Sequence, residues 1–139
     1  MELSKEQIVE RFKADRYATE VTGIEIVDAR PGYAKTKLLI QPKHFNAVGI
    51  VQGGVLFTLA DFAFAVASNN GVEEITVAIE CNISFLKPTT AGILYAEAIL
   101  LSKTKSLASY DIPVTNENGE LVAKFYGRGF VRQPKKENK

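Results

Sequence analysis

"HFNAVGIVQGGVLFTLADFAFAVAS", His44 to Ser68, holds one ionised side chain, Asp61, in a chain that is 24% charged. From Gly53 to about Asn69, Leu, Phe, Ala and Val stand on nearly every side of a helical wheel, which predicts a helix buried all round. Asn69-Asn70-Gly71 is a stop signal. Gln41 to Gln52 reads as the loop that feeds the helix. Such a helix needs something wrapped around it.

The flanking sequence supplies a sheet. "GIEIVDA" and "YAKTKLLI" alternate apolar and polar residues around Pro31-Gly32, a strand-turn-strand pattern. After the helix come four strand-like runs, "ITVAIECNISFL", "ILYAEAILLSK", "LASYDIPVT" and "ELVAKFYGRGFVR". "NENG" makes the hairpin turn between the last two. Pro113 predicts a bulge or an edge position in its strand. In the last strand Leu121, Ala123, Phe125, Gly127, Gly129 and Val131 share one face. Its two glycines imply close approach by a helix. Ser4 and Gln7 match a capping box, which predicts a short helix over about 5–17, with Ile8, Val9 and Phe12 as its apolar stripe. The order predicts an α+β fold: an antiparallel sheet wrapped around one long buried helix.

A chain of 139 residues reads as a single domain, 1–139, with a solvated, flexible tail at about 133–139. Net charge is +1 with the signs interspersed, which gives no support for a nucleic-acid or acidic-membrane partner. One cysteine and one histidine provide neither a disulfide framework nor a zinc ligand set. Cys81 reads as a small core residue and His44 as a loop hydrogen-bonder. The polar amino terminus is unlike a signal peptide, and no apolar run approaches the roughly 20 residues of a membrane span. A cytoplasmic protein is expected.

Gln52-Gly53-Gly54 places residues without Cβ where the first free N–H groups of a helix point outward. Such a terminus attracts an anion or a developing oxyanion. Asp61 follows Gly53 by eight residues, about 12 Å along a helix axis. One chain's Gly53 and Asp61 therefore do not share a small ligand easily. Two such helices lying antiparallel across a dimer would bring each Asp61 to the other's helix start, which predicts a composite site. Burying an unpaired carboxylate is costly, and carboxylates so placed tend to have raised pKa values and chemical roles.

The pattern His44-x-Asn46-x-x-Gly49-x-x-Gln52-Gly53-Gly54, with Asp61 on the apolar helix after it, closely resembles the PaaI-type (phenylacetic acid degradation-like) acyl-CoA thioesterases of the hotdog superfamily. The resemblance runs from roughly Ile40 to Arg132. It implies a hotdog fold, a homodimer or homotetramer, and hydrolysis of an acyl-CoA thioester. No metal and no cofactor beyond the substrate's own coenzyme A are implied. By position, Asp61 is the carboxylate that attacks or activates water. Gly53 gives the N–H that polarises the carbonyl, and Asn46 orients the water or the carboxylate. Gln52 stands where relatives often carry histidine, and it can donate to the thioester without titrating. Ala78 replaces a serine or threonine of some relatives, leaving Thr76 as the nearest hydroxyl on that strand face. Gly54 and Phe57 are candidates for substrate contact, and Lys103, Lys105 and Arg128 for the coenzyme A phosphates. A non-hydrolytic acyl-CoA-binding domain is the main rival. A hydroxyacyl dehydratase and a purely structural oligomerisation domain are the others.

Overall fold

The computed structural model describes residues 2–71 and 73–133. Six strands form one antiparallel sheet in the order β1-β2-β4-β5-β6-β3. They are β1 Glu25–Arg30, β2 Tyr33–Leu39, β3 Ile75–Phe85, β4 Ile93–Lys103, β5 Leu107–Asn116 and β6 Leu121–Arg132. The long helix, α2, spans Gly53–Asn69 and lies in the curl of the sheet. This is the hotdog arrangement.

The core forms where α2 meets the inner sheet face. Leu56, Leu59, Phe62, Phe64 and Val66 of the helix are buried with Leu38, Leu94, Ile112, Val114 and Phe125 of the strands. The expected close approach at β6 is real. A Cβ on Gly127 would stand 2.7 Å from Phe64 Cδ2, and one on Gly129 would stand 2.4 Å from Thr76 Cγ2. The bare backbone is what lets the Phe64 ring, edge-on to Tyr110, sit between helix and sheet.

Several expectations need correction. The amino-terminal helix, α1, starts in the predicted capping box but runs only from Lys5 to Phe12, not to about 17. A separate π-helical turn follows over Tyr17–Thr22. Its start is fixed by Asp15, whose Oδ1 accepts the Ala18 N–H at 3.1 Å, and its end by Gly23 at φ 92°. Pro113 does not mark an edge, since β5 is interior, but the bulge expected of its strand is present, between Val114 and Thr115. That bulge shifts the start of β6, so Leu121 is exposed and Val122 buried, against the simple alternation. The turn at Asn116–Gly119 is as predicted, with Gly119 at φ 78°. Residues 134–139 of the expected tail lie outside the described residues.

Helix α2 departs from the all-round burial its composition suggested. Val55, Phe57 and Asp61 are only partly buried, and so are Thr58, Ala65 and Ser68, while Gly54 is exposed. Gly54, Thr58, Asp61, Ala65 and Ser68 follow the three-and-four spacing of one helix face. The helix thus turns a stripe of small and polar residues away from its own sheet. The carboxyl end of α2 is anchored instead. Asn69 Oδ1 accepts the Thr76 N–H at 2.7 Å, Asn70 Nδ2 donates to the Arg30 carbonyl at 2.7 Å, and Arg11 donates to the carbonyls of Asn69 and Gly71.

Candidate active site

The loop before α2 is held by its own polar residues. Asn46 Oδ1 accepts the N–H groups of Val48 (3.0 Å) and Ile50 (3.2 Å), and Gly49 turns at φ 83°. His44 is buried. Its Nδ1 accepts the Gln41 N–H at 2.9 Å, and its Nε2 lies 2.8 Å from the Thr22 carbonyl. These contacts require the tautomer with hydrogen on Nε2. The structural role expected for His44 is the one it has.

That scaffold delivers α2 with its first amides free. Among the described residues, no partner accepts from the N–H of Gly53 or Gly54. Gly53 opens into a cleft of about 510 Å³ walled by Asn46, Ile50, Val51, Leu56, Phe85 and Thr89. Asn46 therefore lines the same cleft as Gly53, with its oxygen occupied by the loop and, among the described residues, no acceptor for its Nδ2. Phe85 is a wall that the sequence did not suggest. Its ring presses on Gly53 so closely that a Cβ there would stand 2.8 Å from Phe85 Cζ. Gln52 is exposed, its Oε1 3.2 Å from where a Gly54 Cβ would be.

Asp61 lies in a different cavity, of about 160 Å³, with Asp15, Tyr17, Ala18, Phe57, Thr58 and Phe62. Among the described residues it has neither a hydrogen-bond donor nor an ion-pair partner. Burial pushes its pKa up, and the Asp15 charge pushes it further in the same direction. Phe57 borders this cavity while stacking edge-on against Phe125 at 5.0 Å. Cys81 is close by on β3. Burial raises its thiol pKa, with the charges of Asp61 and Glu80 adding to that, which suits a packing residue better than a nucleophile.

The remaining candidates are dispersed. Lys103 pairs with Glu74 at 3.0 Å and borders a cavity at the opposite end of α2 from Gly53. Lys105 sits in the exposed turn between β4 and β5, and Arg128 stands opposite Glu80 and Ser109 on β6. None of the three borders the Gly53 cleft or the Asp61 cavity. Thr76 does not reach either one, since it is buried and its hydroxyl donates to the Ser68 carbonyl at 3.3 Å. Among the described residues no cluster of three metal-ligating side chains occurs, and no helix is long and apolar enough to cross a membrane.

Comparison with known proteins decides the family. The thioesterase superfamily pattern matches residues 48–123, which contain both Gly53 and Asp61. The chain belongs to the thioesterase superfamily. Within that superfamily it is of PaaI type. It is 37% identical to the acyl-coenzyme A thioesterase PaaI of Escherichia coli over 76% of this chain and 76% of that one. The solved structure of E. coli PaaI superposes with a TM-score of 0.81 at 30% identity, covering 94% of this chain and 98% of that chain. A 1,4-dihydroxy-2-naphthoyl-CoA hydrolase of Listeria monocytogenes is 31% identical over 74% of this chain and 85% of its own length. This superfamily member is accordingly a thioester hydrolase with a hotdog fold.

Proposed function

We propose that this thioesterase hydrolyses an acyl- or aryl-acyl-CoA to the free carboxylic acid and coenzyme A, in sites each built from two copies of the chain. The observation that carries the reading is the division of α2. Its unpartnered Gly53 amide and its unpartnered Asp61 open into separate cavities, eight residues apart. In the composite site the thioester carbonyl accepts from the Gly53 N–H, with Gly54 beside it and Gln52 donating from the rim. The partner's Asp61 stands on the opposite side of the carbonyl carbon. As a base, Asp61 takes a proton from water while the water oxygen bonds to that carbon. The tetrahedral intermediate then collapses, the C–S bond breaks, and the proton passes to the departing thiolate. As a nucleophile, Asp61 bonds to the carbon directly, the C–S bond breaks, and coenzyme A leaves as a thiolate that takes up a proton from water. A second water then cleaves the resulting anhydride to the free acid and the Asp61 carboxylate. Either route places negative charge on the carbonyl oxygen, where a fixed amide at a helix start stabilises it most. Asn46 Nδ2 orients the water or the carboxylate.

Two features of the single chain support the dimer. The small-residue face of α2 allows a second helix to approach closely. The edge strand β3 leaves Ile75, Val77 and Ile79 at least half exposed, a surface that isolated proteins tend to protect. We assign the apolar cleft of Ile50, Leu56 and Phe85, together with Phe57, to the acyl group. Lys103, Lys105 and Arg128 are assigned to the coenzyme A phosphates, as a homodimer or homotetramer in the cytoplasm. The names of the E. coli and Listeria relatives favour coenzyme A esters, and the latter an aryl acyl group.

Thiol release from acyl-CoA esters of graded chain length and from aryl-acyl-CoA esters tests this reading, with Asp61→Asn alongside. Steady release by the native chain, abolished in D61N with folding intact, is the expected result. Binding without release would point instead to a sensing domain, and full activity in D61N would remove Asp61 from the chemistry.

A further inference from the structure

The cavity around Asp61 contains a second carboxylate that belongs neither to the helix nor to the motif. Asp15 comes from the segment between α1 and the π-helical turn, and it borders the same space of about 160 Å³. Its Oδ1 is fixed by the Ala18 N–H, and its other oxygen has no partner among the described residues. Among the described residues no lysine or arginine borders the cavity. The groups facing Asp61 are Asp15 and Tyr17 from the amino-terminal segment and Thr58 from α2 itself, with the thiol of Cys81 approaching from β3 and Glu80 beyond it. Among the described residues the surroundings thus contain negative or neutral groups and no compensating cation.

We infer that Asp15 is a positioning residue that acts through Asp61, its fixed negative charge making the Asp61 carboxylate a stronger base toward water. This rests on the reading of Asp61 as the reacting carboxylate. A like charge close by disfavours ionisation, so the proton is held more tightly. The direction already found for Asp61, upward with Asp15 contributing, agrees with that. A base is most effective when its pKa lies near the working pH, so lifting a carboxylate out of its ordinary range improves it. The folding of the amino-terminal segment and the strength of the base are coupled, because the hydrogen bond that starts the π-helical turn also fixes the charge.

Asp15→Asn separates the two roles. Asparagine caps a helical turn as well as aspartate does, so the turn is kept and the charge is lost. Asp15→Ser, also a capping residue, is the second variant should the first fold poorly. The measurement is the pH dependence of kcat/KM for thiol release, together with carbon-13 NMR titration of Asp61 in the full-length native and variant chains. The expected result is that the acid limb and the Asp61 titration both move to lower pH in D15N and D15S, with KM unchanged. An acid limb and a titration left in place in a folded variant, with D61N inactive, would overturn the role of Asp15 alone. Undiminished activity in D61N would remove the base on which Asp15 acts, and this inference would fall with it.

Discussion

The ring of Phe85 at the end of β3 packs against the backbone of Gly53 at the start of α2, with 2.8 Å between Phe85 Cζ and the position a Gly53 Cβ would take. The start of the helix thus packs directly against an aromatic ring that also walls the cleft.

Gly53→Ala should therefore damage turnover more than folding. The ring it displaces belongs to an exposed residue, free to swing outward. We expect stability within about 1 kcal/mol of the native chain, because the collision is relieved by a surface side chain. We expect kcat to fall by about tenfold or more, since the amide and its wall no longer hold their places. Thermal denaturation beside thiol-release kinetics checks both.

Gly127→Ala meets a harder obstacle. Its new Cβ would lie 2.7 Å from Phe64 Cδ2 and 3.2 Å from Phe125 Cε1, both in fully buried rings. Overpacking of this kind costs about 1–3 kcal/mol. Urea unfolding should register that loss, with kcat little changed in the fraction that remains folded.

Asp61 should cost the protein stability at neutral pH. Its folded-state pKa is raised, so the native state binds its proton more tightly than the unfolded chain does. Stability then declines as pH rises from the unfolded carboxylate value, about 3.9, through the raised native one. D61N, which cannot ionise, escapes that decline. Denaturation across pH should show D61N more stable than the native chain at pH 7 and the gap closing in acid.

His44→Ala should unfold the entrance loop without touching the chemistry directly. It removes the partners of the Gln41 N–H and the Thr22 carbonyl and leaves a buried void, at a cost of about 3 kcal/mol. A lowered melting temperature is the expected readout.

The architecture was legible in the sequence because its signals are local. The apolar run of α2, its asparagine-glycine stop and the alternation of the strands each name an element without reference to the others. Gly127 and Gly129 even disclosed which strand the helix leans on. What stayed hidden depends on contacts between distant segments. Helix α2 looks apolar by composition, and only the wrapped sheet decides that the stripe of Gly54, Thr58, Asp61, Ala65 and Ser68 is the side left less covered. Phe85 and Asp15 reach the cavities through the end of β3 and the segment before the π-helical turn, and neither placement follows from spacing. Asp15 did carry a local signal, an aspartate three residues before an amide it caps, which would have ended α1 earlier. Lys103 looked free in sequence, and its pairing with Glu74 appears only once the end of β4 and the segment before β3 meet at the carboxyl end of α2.

The division of the site between two chains is tested most directly by mixing two disabled variants, Gly53→Val and Asp61→Asn. Each should be inactive as a homodimer. Unfolded together and refolded, half of the dimers would be mixed, each with one intact site, so about a quarter of native thiol-release activity should return. Recovery to that level is the predicted result. No activity beyond the sum of the two parents, with mixed dimers demonstrably formed, would contradict a site shared across the interface.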